Sequence, residues 1–360
     1  MDLDGGVISQ AAGQAYRTLQ GPSFPSLIVD NSPDLRSVEA ALVAVRDGSY
    51  WAAVVVNANA STRLADALEG GLAAQTYQAT DAMTYIWNEV RYPPFSDEAF
   101  VSNFEALAET AKQIYLRQNG QSVLANLDQS DDAALQVLFN PIDISSVNIM
   151  PTTNPTRLMY NTATMVMPIL QAFFFILLLN GLSEHLHIYS KVPVRMSGLV
   201  RVTLSLAYTF IAALCTTGYI WAFRESWAVN SNQFVLSWMT LWLLGQVHFW
   251  LIDSATAFLP PPSLPFFLLT WILINISSTI SPPQISARFY HLSYAMPANE
   301  AYTVLTDIWS GASVPALYRA LPILFSWLVA GSGLAVFGHF YRCRVAHEKV
   351  AAALRRDNRH

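Results

Sequence analysis

Polar side chains inside long apolar runs are where this 360-residue chain could do chemistry. Gln171, Gln246, His248, Asp253 and Asn275 stand at or near membrane depth, in stretches otherwise built of Leu, Ile, Val, Phe and Trp. An unsatisfied amide, imidazole or carboxylate is costly in hydrocarbon, so each must find a partner or line a wet path. Gln246 and Asp253 are seven residues apart and share a helix face with Trp242 and Trp250. Asn275 shares a face with Trp271, Ser278 and Thr279. Two readings stand side by side: hydrogen-bonding glue between helices, or the lining of a substrate path. The stiff Pro260-Pro261-Pro262-Ser263 connection predicts that these two segments are antiparallel neighbours, with the Gln246/Asp253 face meeting Asn275.

Other motifs weaken on inspection. Asp2-Leu3-Asp4-Gly5-Gly6 has the look of a DxD phosphotransferase motif, which needs an apolar strand ahead of it; only Met1 precedes. As a calcium loop it needs Glu at position 12, and Gly13 stands there. It reads better as a strand-to-turn element whose glycines permit positive φ. The chain has no GxxxxGK[ST], GxSxG or HExxH. His185 and His187, at 100° per residue, point about 200° apart on a helix. That is poor metal geometry, and His185, His187, His339 and His347 read as interfacial anchors. Cys215 and Cys343 lie in or just after apolar runs, so no disulfide framework or CxxC site is expected. No cofactor, metal or catalytic constellation is expected. Asn59-Ala60-Ser61 is a glycosylation sequon; a second, Asn275-Ile276-Ser277, would be buried.

The elements that must position these groups follow from composition. Hydrophobic residues make up 53% of the chain and charged residues 12%, with mean hydropathy +0.31, against about 25% charged in an ordinary soluble domain. Residues 1–158 hold 8 Lys/Arg against 18 Asp/Glu, whereas 159–360 hold 12 against 7. The two halves therefore suit different surroundings, and the acidic half argues against a nucleic-acid partner. Five stretches are apolar enough to cross about 30 Å of hydrocarbon: 162–182, 199–222, 234–256, 264–281 (the shortest) and 317–340. In the last, Gly331 and Ala335 form a small-xxx-small pair suited to helix packing. If 1–158 lies outside the cytoplasm, inner segments carry nine Lys/Arg and outer loops three, as the positive-inside rule asks. The expected plan is an extracytoplasmic α/β domain over 1–158, a transmembrane domain over 159–341, and a basic cytoplasmic tail over 342–360. No signal peptide or leading span opens the chain, so a further helix is expected to precede it.

Within 1–158 the pattern predicts a short strand at 26–29 closed by a turn at 30–33, then a helix over 34–47. A strand over 50–56, a helix over 60–72 and a strand over 82–90 follow. A long helix over 97–128, bent near Asn119-Gly120, precedes an extended 136–150 and a stiff link from Pro151 to Thr156. This alternation argues an α/β layer domain, making the whole an α+β membrane protein.

DLDGG near the domain start, then Gly48-Ser49-Tyr50-Trp51-Ala52-Ala53-Val54-Val55-Val56-Asn57-Ala58-Asn59-Ala60-Ser61, resembles the fungal nitrosoguanidine-resistance membrane protein family. So do Val147-Asn148-Ile149-Met150-Pro151 and Tyr294-Ala295-Met296-Pro297-Ala298-Asn299. That family is similar in layout to phage-infection-protein permeases and ABC-2-type permeases. The resemblance implies one more helix ahead of DLDGG and a role in resistance to, or export of, toxic small amphipathic compounds at the plasma membrane. Export driven by ATP would need a separate ATPase, docking on 183–198; membrane lipids and a homo-oligomer are the other expected partners. The alternative is a non-transporting scaffold, receptor or lipid-organisation factor whose exported domain binds a partner.

Overall fold

The computed structural model describes residues 1–30, 35–127, 130–152, 155–311 and 316–357. The turn expected at 31–33, part of the 151–156 link and the end of the basic tail lie outside the described residues. The chain divides into two compact units, Met1–Thr152 and Thr153–His360.

In the first unit the elements run α1 (Val7–Leu19), α2 (Val38–Arg46), β1 (Ala52–Val56), α3 (Ala60–Leu68), α4 (Gly71–Thr76), β2 (Met83–Trp87), α5 (Pro93–Ser96), α6 (Ser102–Asn126), α7 (Asp132–Phe139) and β3 (Ile144–Asn148). β2 is central, antiparallel to β1 and parallel to β3. Met1 and Leu3 extend the edge of β1 through main-chain bonds to Val56 of 3.1 Å each. The apolar run of β1 is covered on both faces, as a run of that kind requires. Val54 and Val56 join a core with Ile8, Ala11 and Ala15 of α1, Leu64 of α3 and Leu107 and Ala111 of α6. Ala53 and Val55 join Ala41 and Val45 of α2.

Four local expectations are corrected. Residues 26–29 form no strand: Ile28 and Val29 are 76% and 72% exposed, and the Leu27 amide bonds the Tyr16 hydroxyl rather than a ladder. The helix expected over 60–72 is two helices, divided at Gly70-Gly71, both of positive φ. α6 is unbroken through Asn119-Gly120. The first part of 136–150 is the end of α7, because the Asp131 carboxylate caps that helix by accepting from Ala133 N at 2.9 Å. α1 was not expected at all.

The second unit runs α8 (Ala163–His185), α9 (Ile188–Lys191), α10 (Val194–Ala222), α11 (Ser231–Phe258), α12 (Leu264–Ser277), α13 (Pro297–Ser310) and α14 (Leu317–Asp357). Four of these, α8, α10, α11 and α14, are long and apolar enough to cross a membrane. α11 is the hub: 56% of its most apolar window is buried, against 22–33% in the other three. α10 runs antiparallel to α11, and α8 and α14 run parallel to it, as their paired residues below show.

α12 has 14 residues, short of a full crossing. Pro265 stands in its first turn, and at its end Ser278 and Thr279 turn their hydroxyls back onto the carbonyls of Asn275 and Ile276. α12 starts beside the end of α11, and the carbonyls that follow it, Thr279 and Ile280, accept from Asn161 just ahead of α8. α13 lies between the fourth and fifth apolar stretches, where the sequence reading places no helix. Its Ala298, Ala301, Tyr302, Leu305 and Trp309 are buried.

Candidate functional site

The five polar candidates separate into two groups. Gln246 and Asp253 face α10 and α14 along a deep groove; Gln171, His248 and Asn275 are engaged in packing elsewhere. The expected meeting of Gln246/Asp253 with Asn275 does not occur. Gln246 Nε2 donates to Ser205 O of α10 at 3.1 Å and to Thr209 Oγ1, while its Oε1 accepts from Trp250 Nε1 at 2.9 Å. Trp242 Nε1 donates to the same Thr209 hydroxyl at 3.1 Å. The α12 partner of α11 is instead His248, whose Nδ1 accepts from Trp271 Nε1 at 3.1 Å. His248 is two residues from Gln246 and so lies about 200° round the helix, which is why one face cannot serve both neighbours. Asn275 bonds its own helix at Trp271 O, 2.9 Å, and accepts from Ala298 N of α13 at 3.3 Å. Gln171 donates to Thr216 Oγ1 of α10 at 3.4 Å.

Asp253 sits at the centre of a charged cluster. Its carboxylate accepts from Arg201 of α10, with Nε at 3.2 Å, and from Arg342 of α14, with Nη2 at 2.9 Å. Arg342 also bonds the Asp253 carbonyl and Thr256 Oγ1. Arg201 extends the network to Tyr189 Oη at 3.0 Å and Asn180 Oδ1 at 2.8 Å, linking α8, α9, α10, α11 and α14. Two guanidiniums on one carboxylate leave one positive charge uncompensated inside the cluster. Sequence reasoning took Arg201 and Arg342 only as markers of orientation. The signal that could have found them is position: Arg201 stands inside one apolar run and Arg342 at the edge of another, and a third run contains a carboxylate, Asp253.

A groove of about 1160 Å³ runs between α10, α11, α13 and α14. Its walls are mainly aliphatic and aromatic, with Leu206, Leu243, Trp242, Trp250, Phe325 and Leu328 along its length. Arg195, Arg201, Asp253 and His339 line one end; Asp307, Ile308 and Gly311 line the other. It exceeds the roughly 300–1,000 Å³ of a site for a drug-sized molecule. α14 comes close to α11 through small residues: a methyl group added at Gly338 would lie 2.8 Å from Ala257 Cβ, and one at Gly331 3.3 Å from Trp250 Cβ. Ala335, the expected partner of Gly331, lines the groove.

The remaining motifs are structural. Asp2 Oδ1 accepts from Ser9 and from the amides of Asp4 and Gly5; Asp4 accepts from Gly6 N at 3.0 Å and Ser61 N at 2.8 Å. DLDGG thus ties the start of α1 to the start of α3, with Gly5 at φ +65° turning the chain. Desolvation pushes the Asp2 carboxyl up, yet the hydrogen bonds from Ser9, Gly5 and Asp4 hold it below its ordinary value. Asn59 of the sequon is exposed at the start of α3. In the Tyr294–Asn299 motif, Ala295 O accepts from Trp327 Nε1 at 2.7 Å and Ala298 N donates to Asn275. Among the described residues no group of three or more His, Cys, Asp or Glu could hold a metal ion.

A family model described as "Protein of unknown function (DUF3533)" matches residues 1–332. The chain belongs to this family. An uncharacterized endoplasmic reticulum membrane protein of Saccharomyces cerevisiae, YJR015W, is similar over 348 residues at 22% identity, covering 93% of this chain and 67% of that protein. No solved structure matches. Four helices of membrane-crossing length and apolarity, together with the similarity to a membrane protein, make this an integral membrane protein of α+β construction.

Proposed function

We propose that this chain is a transporter-like membrane protein that handles small amphipathic compounds and contributes to resistance against them, without catalysis of its own. The observation that carries the reading is the groove between α10, α11, α13 and α14, apolar along its length and charged at its ends. The kinship with nitrosoguanidine-resistance and ABC-2-type proteins, drawn from the DLDGG and Tyr294–Asn299 segments, belongs to the same reading, as does a five-span plan in which α12 counts as a crossing. Under it, 1–158 lies outside the cytoplasm and 342–360 inside, as the nine-to-three Lys/Arg bias favours. The host membrane is then the plasma membrane; the yeast relative's name offers the endoplasmic reticulum as the other site. The energy source would be a separate ATPase docked on 183–198, or coupling within a homo-oligomer.

The test is efflux of fluorescent amphipathic dyes from vesicles reconstituted with the protein, with and without a candidate ATPase. Leu243→Trp, which fills the groove wall, should abolish movement while expression stays normal. Equal efflux from the variant and the parent would refute the reading. A second reading, a scaffold or receptor that binds a partner through the first unit, is favoured by the exposure of Ile28 and Val29 together with Leu72 at 76% and Phe139 at 77%. Absence of efflux together with capture of a partner that is lost in Phe139→Ser would support it.

A further inference from the structure

The groove has a direction. At the end where α10 begins, Arg195 is exposed on the lining and forms no ion pair among the described residues. About 9 Å further along α10, Arg201 shares the single carboxylate of Asp253 with Arg342, so the cluster keeps a net positive charge that its own hydrogen bonds cannot cancel. At the other end the lining carries the Asp307 carboxylate. Between the two ends the walls are aliphatic and aromatic. A ligand that fits has an apolar chain for the middle and a negative head for the Arg195 end.

Depth supports the same occupant. Arg201 stands seven residues into α10, roughly 10 Å from its start at 1.5 Å per residue. Arg195 stands one residue into that helix. The two therefore bracket the level at which a lipid head group meets its acyl chains, if α10 crosses a bilayer of about 30 Å. A free anion would gain the charge but leave the apolar groove unfilled, whereas a lipid of the surrounding membrane satisfies both.

We propose that this groove seats an acyl chain of an anionic membrane phospholipid, with the head-group phosphate against Arg195 and held there by the residual charge of the Arg201–Asp253–Arg342 cluster. The proposal deepens the amphipath reading above and rests on its identification of the groove. Arg195 makes the direct contact, since the guanidinium of Arg201 is already committed to Asp253, Tyr189 and Asn180. The cluster acts as a fixed field. Arg195, exposed and unpaired, can be changed without disturbing the packed network.

The experiment uses the full chain purified in a neutral detergent, with native mass spectrometry to count retained lipid. Phosphatidylglycerol and phosphatidylcholine of identical acyl chains are offered in competition, and inorganic phosphate is added in a separate arm. One phosphatidylglycerol should be retained per chain in preference to phosphatidylcholine. Arg195→Gln should cut that preference about fivefold, the size expected for one basic residue near a lipid surface. Leu243→Trp should remove retention of both lipids. Equal retention of the two lipids by the parent protein would overturn the head-group assignment. So would a preference unchanged in Arg195→Gln. Displacement by inorganic phosphate would overturn the acyl-chain seat, leaving an anion site only. Retention that survives in a folded Leu243→Trp protein would place the lipid elsewhere on the surface. Lipid retained by a protein that moves no dye would sink only the transport reading, and dye movement without lipid preference only this one.

Discussion

Removing the Asp253 carboxylate is the sharpest perturbation this structure offers. Asp253→Asn keeps the size of the side chain and deletes the one anion between two guanidiniums, that of Arg201 buried and that of Arg342 partly so. Breaking a buried ion pair by deleting one partner costs about 3–5 kcal/mol, because the surviving charge is stranded. Here two cations survive facing each other. Arg201→Met is a different case. It leaves Asp253 paired with Arg342 and gives up the bonds to Tyr189 and Asn180, which at about 0.6 kcal/mol for an interhelical bond in a membrane sum to roughly 1–2 kcal/mol. The double change Arg201→Met/Asp253→Asn leaves one cation rather than two, so it should be more stable than Asp253→Asn alone. At about 2–4 °C per kcal/mol for a unit of this size, Asp253→Asn should lower the melting temperature by about 6–20 °C and Arg201→Met by about 2–8 °C. The assay is thermal unfolding of the detergent-solubilised protein followed by size-exclusion fluorescence. An Asp253→Asn protein as stable as the parent, or a double variant less stable than Asp253→Asn, would refute the charge argument.

Other outcomes follow from single contacts. Gly338→Leu should destabilise by about 1–3 kcal/mol through overpacking against Ala257, whereas Gly333→Leu, where nothing lies within 4 Å of an added Cβ, should be nearly neutral in the same thermal assay. Asp4→Ala strands the amides of Gly6 and Ser61 and should cost about 1–3 kcal/mol, read as faster hydrogen exchange at the starts of α1 and α3. Asp2, whose folded pKa lies below its unfolded one, adds stability above the unfolded value and loses it as pH falls through the folded value. Asp2→Asn should therefore unfold more easily than the parent at neutral pH and match it once pH drops well below the ordinary 3.8. Tags after Gly21 and at His360 should be protease-accessible from opposite sides of sealed cells if α12 counts as a crossing, and from the same side if it does not.

The two-part organisation was legible from local sequence, because it depends on properties that neighbours in the chain share. Apolar runs of more than 20 residues name their own helices, and α8, α10, α11 and α14 lie where the runs do. The apolar run of β1 announced a strand covered on both faces, and DLDGG announced a turn. Of the helices that were missed, two carried their signals in the sequence. α1 carries Ile8, Ala11, Ala12 and Ala15 at helical spacing, muted by their small side chains. α13 begins at Pro297 and ends at Gly311 with φ +62°, the usual asymmetry of helix ends. Residues 26–29 failed for the opposite reason: their backbone joins no ladder among the described residues, and the Leu27 amide goes to a tyrosine hydroxyl instead.

The candidate site was legible only as a set of residue types. Periodicity placed Gln246 and Asp253 on one face of α11, and the structure keeps them together on the groove. Which helix that face would meet was decided by packing. The proline-rich connection does make α12 an antiparallel neighbour of α11, but it docks on the His248 side, so the Gln246/Asp253 face turns to α10 and α14. Arg201, some 50 positions before Asp253, and Arg342, nearly 90 after it, become its partners only once three helices converge. A buried carboxylate in an apolar helix demands a cation, and the sequence states that demand. Only tertiary structure chooses which of the available arginines answers it, because the choice rests on distances between helices that no spacing along one helix contains.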